Sequence, residues 1–174
     1  LIQEINKLNP NEAIFWKEQW IAYRSDHANE IPASIVQLAI RPNLIEYPEE
    51  LLSANSEALL NEIKPNPLQQ TDLASRGNTI IHPENCYIDP SAELSGSLLD
   101  ASQGPIYIGA NTQIHIGTLI QGPAAILDGT VTNLGAKIRP YTTIGPNCKV
   151  GGEISASLFF PHSNKAHEGY LGNS

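Results

Sequence analysis

Branched apolar residues recur at every sixth position through the second half of the chain. From 108 onward they read Ile108, Ile114, Ile120, Ile126, Thr132, Ile138, Ile144 and Val150. Four places after each stands a mostly small residue: Thr112, Thr118, Ala124, Thr130, Ala136, Thr142 and Cys148, with Ile154 the exception. Helices repeat at about 3.6 residues and simple strands at about 2, so neither accounts for this spacing. A parallel β-helix does, because each hexapeptide forms one flat side of a triangular coil. The branched residue points inward and stacks on its copy in the next coil, and the small residue packs where the chain turns the corner. Branched side chains suit such a pleated, half-buried wall.

The first coils begin near residue 76. Cys86 sits four places after His82, Ile88 with Ala92 gives the first good match, and Leu94 follows in register. The step from Leu94 to Ile108 is 14 residues, two more than two hexapeptides, which predicts a bulged corner near Ser102-Gln103-Gly104-Pro105. Beyond Val150 the six-residue register carries Ala156 and His162 inward. The repeat weakens there, and solenoids often place function where their repeat breaks.

Residues 1–75 lack the repeat. Leu1 to Leu8 fits a short helix ended before Asn9-Pro10. Ala13 to Tyr23 reads as a strand pair, and Ser34 to Ile40 as a further, buried strand. Tyr47-Pro48-Glu49-Glu50 opens a helix, with Pro near its start and acidic residues in the first turn, running to about Ile63. Asn55 reads as part of its polar face. Pro67 to Asn78 is polar and reads as a linker. The expected organisation is an α/β part with linker over 1–75 and a β-helix over 76–174.

The net charge of −8 argues against duplex nucleic acid as a partner. No run approaches the roughly 18 apolar residues of a membrane span, and no signal peptide is visible, so cytoplasm is the default location. Cys86 and Cys148 both fall at the small inward position and read as buried free thiols. The chain begins with Leu1, contains no Met and stops at Ser174 with the repeat still running, which reads as a fragment of a longer protein.

The densest polar cluster runs from Pro161 to Ser174. His162, Lys165, His167 and Tyr170 place two imidazoles, one amine and one phenol within nine residues. Upstream, Lys137 and Arg139 add two cations. Arg139 and His167 are 28 residues apart. At about 18 residues per coil they fall in neighbouring turns and could share one groove. A guanidinium matches a phosphate in bidentate geometry, and an imidazole near its ordinary pKa suits proton abstraction from an amine.

The order Arg139-Pro140, Lys149-Val150-Gly151, Ser163 and His167-Glu168-Gly169-Tyr170-Leu171-Gly172 resembles the acetyltransferase half of the bifunctional N-acetylglucosamine-1-phosphate uridyltransferases. The Arg139-Pro140-Tyr141 and Ser163-Asn164-Lys165-Ala166-His167 runs are closer to the alternative bacterial and archaeal branch of that family. Tyr47 to Asn55 resembles the end of the branch's nucleotidyltransferase domain. The resemblance implies a left-handed coil, an exception to the usual crossover rule. It also implies a homotrimer with acetyl-CoA sites between subunits, and Mg2+ for nucleotidyl transfer elsewhere in the parent protein. His167 would be the general base that deprotonates the 2-amino group of glucosamine-1-phosphate. Arg139 would hold the phosphate and Tyr170 the sugar, with Lys165 a further candidate for the phosphate. Two departures stand out. The family's second phosphate-binding Lys falls at Ser157, and the Asn and Lys that follow the Tyr-Leu-Gly run would lie past Ser174.

Three other readings share these residues. One is sugar-1-phosphate nucleotidyl transfer, such as thymidylyl transfer to glucose-1-phosphate, with the coil only an oligomerisation or regulatory module. Another is a purely structural trimerising module. The last is a metal site, since the spacing of His162 and His167 resembles the β-helical carbonic anhydrases. Those need a third His about two coils upstream, where Ile126 stands, so no metal is assigned.

Overall fold

A computed structural model describes residues 7–10, 12–16, 19–25, 34–38, 45–64 and 76–174. The expected helix at 1–8 and linker at 67–78 lie largely outside these residues. The chain divides into two compact units, Leu1–Leu44 and Ile45–Ser174.

In the first unit, β1 (Glu12–Trp16) pairs antiparallel with β2 (Gln19–Arg24), as the sequence indicates. On its other side β1 pairs parallel with β3 (Ser34–Gln37). Ala13 and Ile14 on the central strand are fully buried. The edge strand β3 is not the buried strand expected from its apolar run, since Ile35 is 58% and Val36 38% exposed. A strand paired on one side leaves its outer face for other partners or solvent.

The second unit is a left-handed parallel β-helix with three faces. Face 1 has six strands, from Thr79–Ile81 to Tyr170–Gly172. Face 2 has five, from Cys86–Ile88 to Leu158–Phe159, and face 3 has five, from Glu93–Leu94 to Asn164–Lys165. The inward stacks follow directly from the repeat. Face 1 stacks Ile80, Leu99, Ile120, Ile138, Ile154 and Leu171. Face 2 stacks Ile88, Ile108, Ile126, Ile144 and Phe159. Face 3 stacks Leu94, Ile114, Thr132 and Val150, and then Lys165. Corner residues Thr112, Thr118, Ala124, Thr130, Ala136, Thr142 and Cys148 are buried, as their spacing predicts.

The repeat is cleanest over the coil from Ile108 through Ile126 to Ile144, at 18 residues per turn. The two-residue excess before Ile108 is a gain of three at the Ala101–Pro105 corner less one residue lost between Leu94 and Leu99. After Val150 the strict register fails. Ile154 comes four residues after Val150, and Phe159 five after Ile154, so the last coil loses three residues. Ile154 is therefore an inward stack member and not a misfit at a corner. Ala156 and His162 do not point inward as expected; both take positive φ, 45° and 63°. Two shortened sides after Val150 are what break the pattern.

Buried hydroxyls along the corners have partners. Thr112 Oγ1 donates to Gly109 O at 2.7 Å, and Thr130 Oγ1 to Gly145 O at 2.7 Å. Thr142 Oγ1 is the exception among the described residues: it is buried with no partner. A buried unpaired hydroxyl costs about 1–3 kcal/mol of desolvation. Thr142→Val, which keeps the shape and removes the hydroxyl, is expected to raise the melting temperature. A lowered one would mean that the hydroxyl has a partner after all.

The helix α1 (Glu50–Asn61) packs on face 2 within this unit, against the strands Thr142–Ile144 and Leu158–Phe159. Leu59 is its buried anchor. Asn55 does more than the solvated role its sequence suggests. Its Nδ2 donates to Tyr141 O at 3.2 Å, and its Oδ1 accepts from Thr143 Oγ1.

Candidate functional site

The last turn of the coil builds the candidate site around a lysine at a core position. Lys165 pairs in register with the buried Val150, so its stem starts where a branched residue would stack. Its ammonium then turns toward the 166–169 loop. It donates to Gly151 O at 2.7 Å, His167 O at 2.9 Å and Gly169 O at 3.0 Å. An ammonium has three donors, and all three are used on backbone carbonyls. Gly152, at φ +72°, makes room for this knot: a Cβ there would run into Lys165 Nζ and Gly169 O. Lys165 thus fixes the 166–169 loop, and any phosphate would have to displace those carbonyls.

His167 sits on that loop with its side chain exposed. Asn164 to Tyr170 line an open concavity of about 460 Å³ around it. Tyr170 is on the next strand of face 1, opposite Glu153, and is 65% exposed. Its ring lies against Gly172, where a Cβ would collide with the phenol. His167, Lys165 and Tyr170 therefore share one hollow.

Arg139 follows the face 1 strand Lys137–Ile138. It lines a separate hollow of about 410 Å³, with Leu98, Asp100, Gln121 and Glu153 among the walls. Its Nη1 donates to Glu153 Oε1 at 3.1 Å. The single groove expected for Arg139 and His167 is thus two hollows on one side of the coil. Glu153 links them: it is bonded to Arg139 and stands beside Tyr170 in register. A half-exposed ion pair of this kind is worth about 0–1 kcal/mol, so an incoming phosphate could take the guanidinium from Glu153.

Ser157, at the place of the family's second phosphate Lys, is buried and donates from Oγ to Ser155 O at 2.7 Å. It faces the core and cannot reach a surface ligand. His162 occupies a separate corner at positive φ. Among the described residues no group of three or more His, Cys, Asp or Glu could hold a metal ion. Sequence reasoning missed Glu153 and Gly152. Glu153 had a usable signal, as a carboxylate one coil on from Lys137 and Arg139; Gly152 is recognisable only with the lysine knot in view.

The fold defines an architectural class, the left-handed parallel β-helix. The particular likeness is to the "Bifunctional protein GlmU" of Nostoc sp. (strain PCC 7120 / SAG 25.82 / UTEX 2576), with 30% identity over 115 residues. That stretch covers 65% of this chain and 23% of the Nostoc protein. The likeness supports a GlmU-like family for the chain. No family model matches it. No helix among the described residues is long and apolar enough to cross a membrane.

Proposed function

We propose that this chain is part of a cytoplasmic, bifunctional sugar-nucleotide enzyme whose β-helix acetylates an amino-sugar 1-phosphate. The observation that carries the reading is the GlmU likeness, together with a hollow that holds His167 and Tyr170 in the family's order. In this reading His167 takes a proton from the 2-amino group of glucosamine-1-phosphate. The amine nitrogen then attacks the thioester carbonyl of acetyl-CoA, the amide C–N bond forms and the thiolate of CoA leaves, recovering the proton from His167. Arg139 exchanges Glu153 for the sugar's phosphate, and Tyr170 lies along the sugar. Lys165 holds the loop that carries the base. Residues 1–75 are the C-terminal portion of a nucleotidyltransferase-like domain plus linker. Mg2+ serves that domain's chemistry in the parent protein.

A homotrimer completes the reading. Ile116 and Leu134 occupy the same corner one coil apart and are 61% and 65% exposed. A column of large apolar residues suits contact with a second copy.

One specific observation favours a second reading, nucleotidyl transfer with the coil as an oligomerisation element. The two groups that could have joined Arg139 at a phosphate are otherwise engaged: Ser157 is buried, and Lys165 is bound to three carbonyls. The deciding assay is CoA thiol release from acetyl-CoA by the full-length parent protein, with and without glucosamine-1-phosphate. Sugar-dependent release supports acetyl transfer; none with any amino-sugar phosphate leaves the second reading.

A further inference from the structure

We propose that the slot between Tyr107 and α1 on face 2 binds a flat aromatic or heteroaromatic ring that is neutral or positively charged. This site is separate from the hollows of face 1 and does not rest on the acetyl-transfer reading.

The argument begins with one outward column. Tyr87, Tyr107, Ala125 and Thr143 occupy equivalent outward positions on four successive strands. The two tyrosine rings stack with centroids 4.8 Å apart and planes 6° from parallel. Neighbouring strands lie about 4.7–4.9 Å apart, so the ladder itself sets the ring spacing. At the third place the column drops from a ring to a methyl group. The second face of Tyr107 therefore looks across Ala125 with no ring beside it.

The far wall is fixed. Thr143, at the fourth place, is hydrogen-bonded to Asn55 of α1, and Asn55 is bonded again to Tyr141 O. This ties the helix to the fourth strand. The space left is about 520 Å³, bounded by Tyr107, by Leu59 and Ile63 of the helix side, and by Ala125 and Leu127 beneath. That volume lies within the range of about 300–1,000 Å³ usual for small-molecule sites, and its walls are mostly apolar, as such sites are. Ala125 itself is only 5% exposed, so a ring would lie against Tyr107 at the mouth of the slot and not flat on the methyl group.

Charge selects among rings. Glu62 and Lys64 stand at the rim. Burial raises the Tyr107 phenol above its ordinary pKa, and Asp128, Tyr87 and Asp89 push it the same way. Among the described residues Glu62, Asp89 and Asp128 outnumber the Lys64 ammonium here, and an aromatic face attracts cations. A ring bearing a carboxylate or phosphate is disfavoured.

The test is calorimetric titration of the chain with four probes: tryptamine, indole, indole-3-acetate and cyclohexylamine. Tryptamine should bind best, indole more weakly and indole-3-acetate more weakly still, with no binding of cyclohexylamine, which has the charge without the flat ring. Tyr107→Leu keeps an apolar wall and removes the π face, and should weaken tryptamine about threefold to tenfold. Ala125→Leu fills the slot and should abolish binding; its melting curve shows whether the fold survives. If it does not, Tyr107→Leu decides. Absence of saturable tryptamine binding, equal affinity in a folded Ala125→Leu protein, or equal binding of cyclohexylamine would each overturn the proposal.

Discussion

Replacing Ile120 with Asp is expected to abolish the folded β-helix, while replacing its neighbour Leu119 with Asp leaves it intact. Ile120 is buried in the face 1 stack between Leu99 and Ile138. Removing a large buried aliphatic side chain costs about 2–5 kcal/mol by itself. An unpaired carboxylate in that place adds several kcal/mol more, whether it stays ionised or takes up a proton. Domains of this size are stable by about 5–15 kcal/mol, so the combined cost approaches the whole. Leu119 precedes it on the same strand, points outward and is already half-exposed. Surface changes of that kind usually stay within about 0.5 kcal/mol. Circular dichroism melts of both variants check the register directly. Similar melting curves for the two would mean that the inward set is misassigned.

His167→Ala in the full-length parent is expected to reduce acetyl-CoA-dependent, sugar-dependent thiol release by at least about 10²-fold, the lower end of what a general base contributes. Oligomeric state and melting temperature should not change, because His167 is exposed and only its main chain enters the Lys165 knot. The preserved main-chain bond separates loss of the imidazole from loss of the loop. Full activity in the variant would remove His167 from the reaction. Loss of activity together with loss of assembly would assign it a structural role.

The wall of the solenoid was legible because stacking makes the same demand every six residues. Ile108 to Val150 answer that demand without a break, and the corner residues between them must be small for the same steric reason. The last coil was harder to read for an equally physical reason. Residues can be lost from a corner without disturbing the pairing above and below, and nothing in the spacing marks where. Ile154 was the clue: a large branched residue at a small position signals a slipped register, and moving it inward brings Phe159 and then Lys165 into the stacks. No pattern of polarity places a lysine in a core column, since its ammonium partners are carbonyls up to four residues away along the chain and across the coil. Of the proposed site, residue types and order were readable. The division into two hollows was not, because it depends on Glu153 meeting Arg139 across one ladder step.

The two thiols sit in the first and fourth turns of the face 2 side and its corners, Cys86 fully buried and Cys148 nearly so. Burial, aided by Glu84, pushes the Cys86 thiol up to about 12. The nucleophile in thiol chemistry is the thiolate, so a folded coil offers a labelling reagent almost nothing at this position. A stacked solenoid can open from an end without opening throughout. The pair is therefore a built-in gauge of where the structure comes apart. Modification of Cys148 ahead of Cys86 would report that the turns on the His167 side open first, and equal rates would report that the whole stack opens at once.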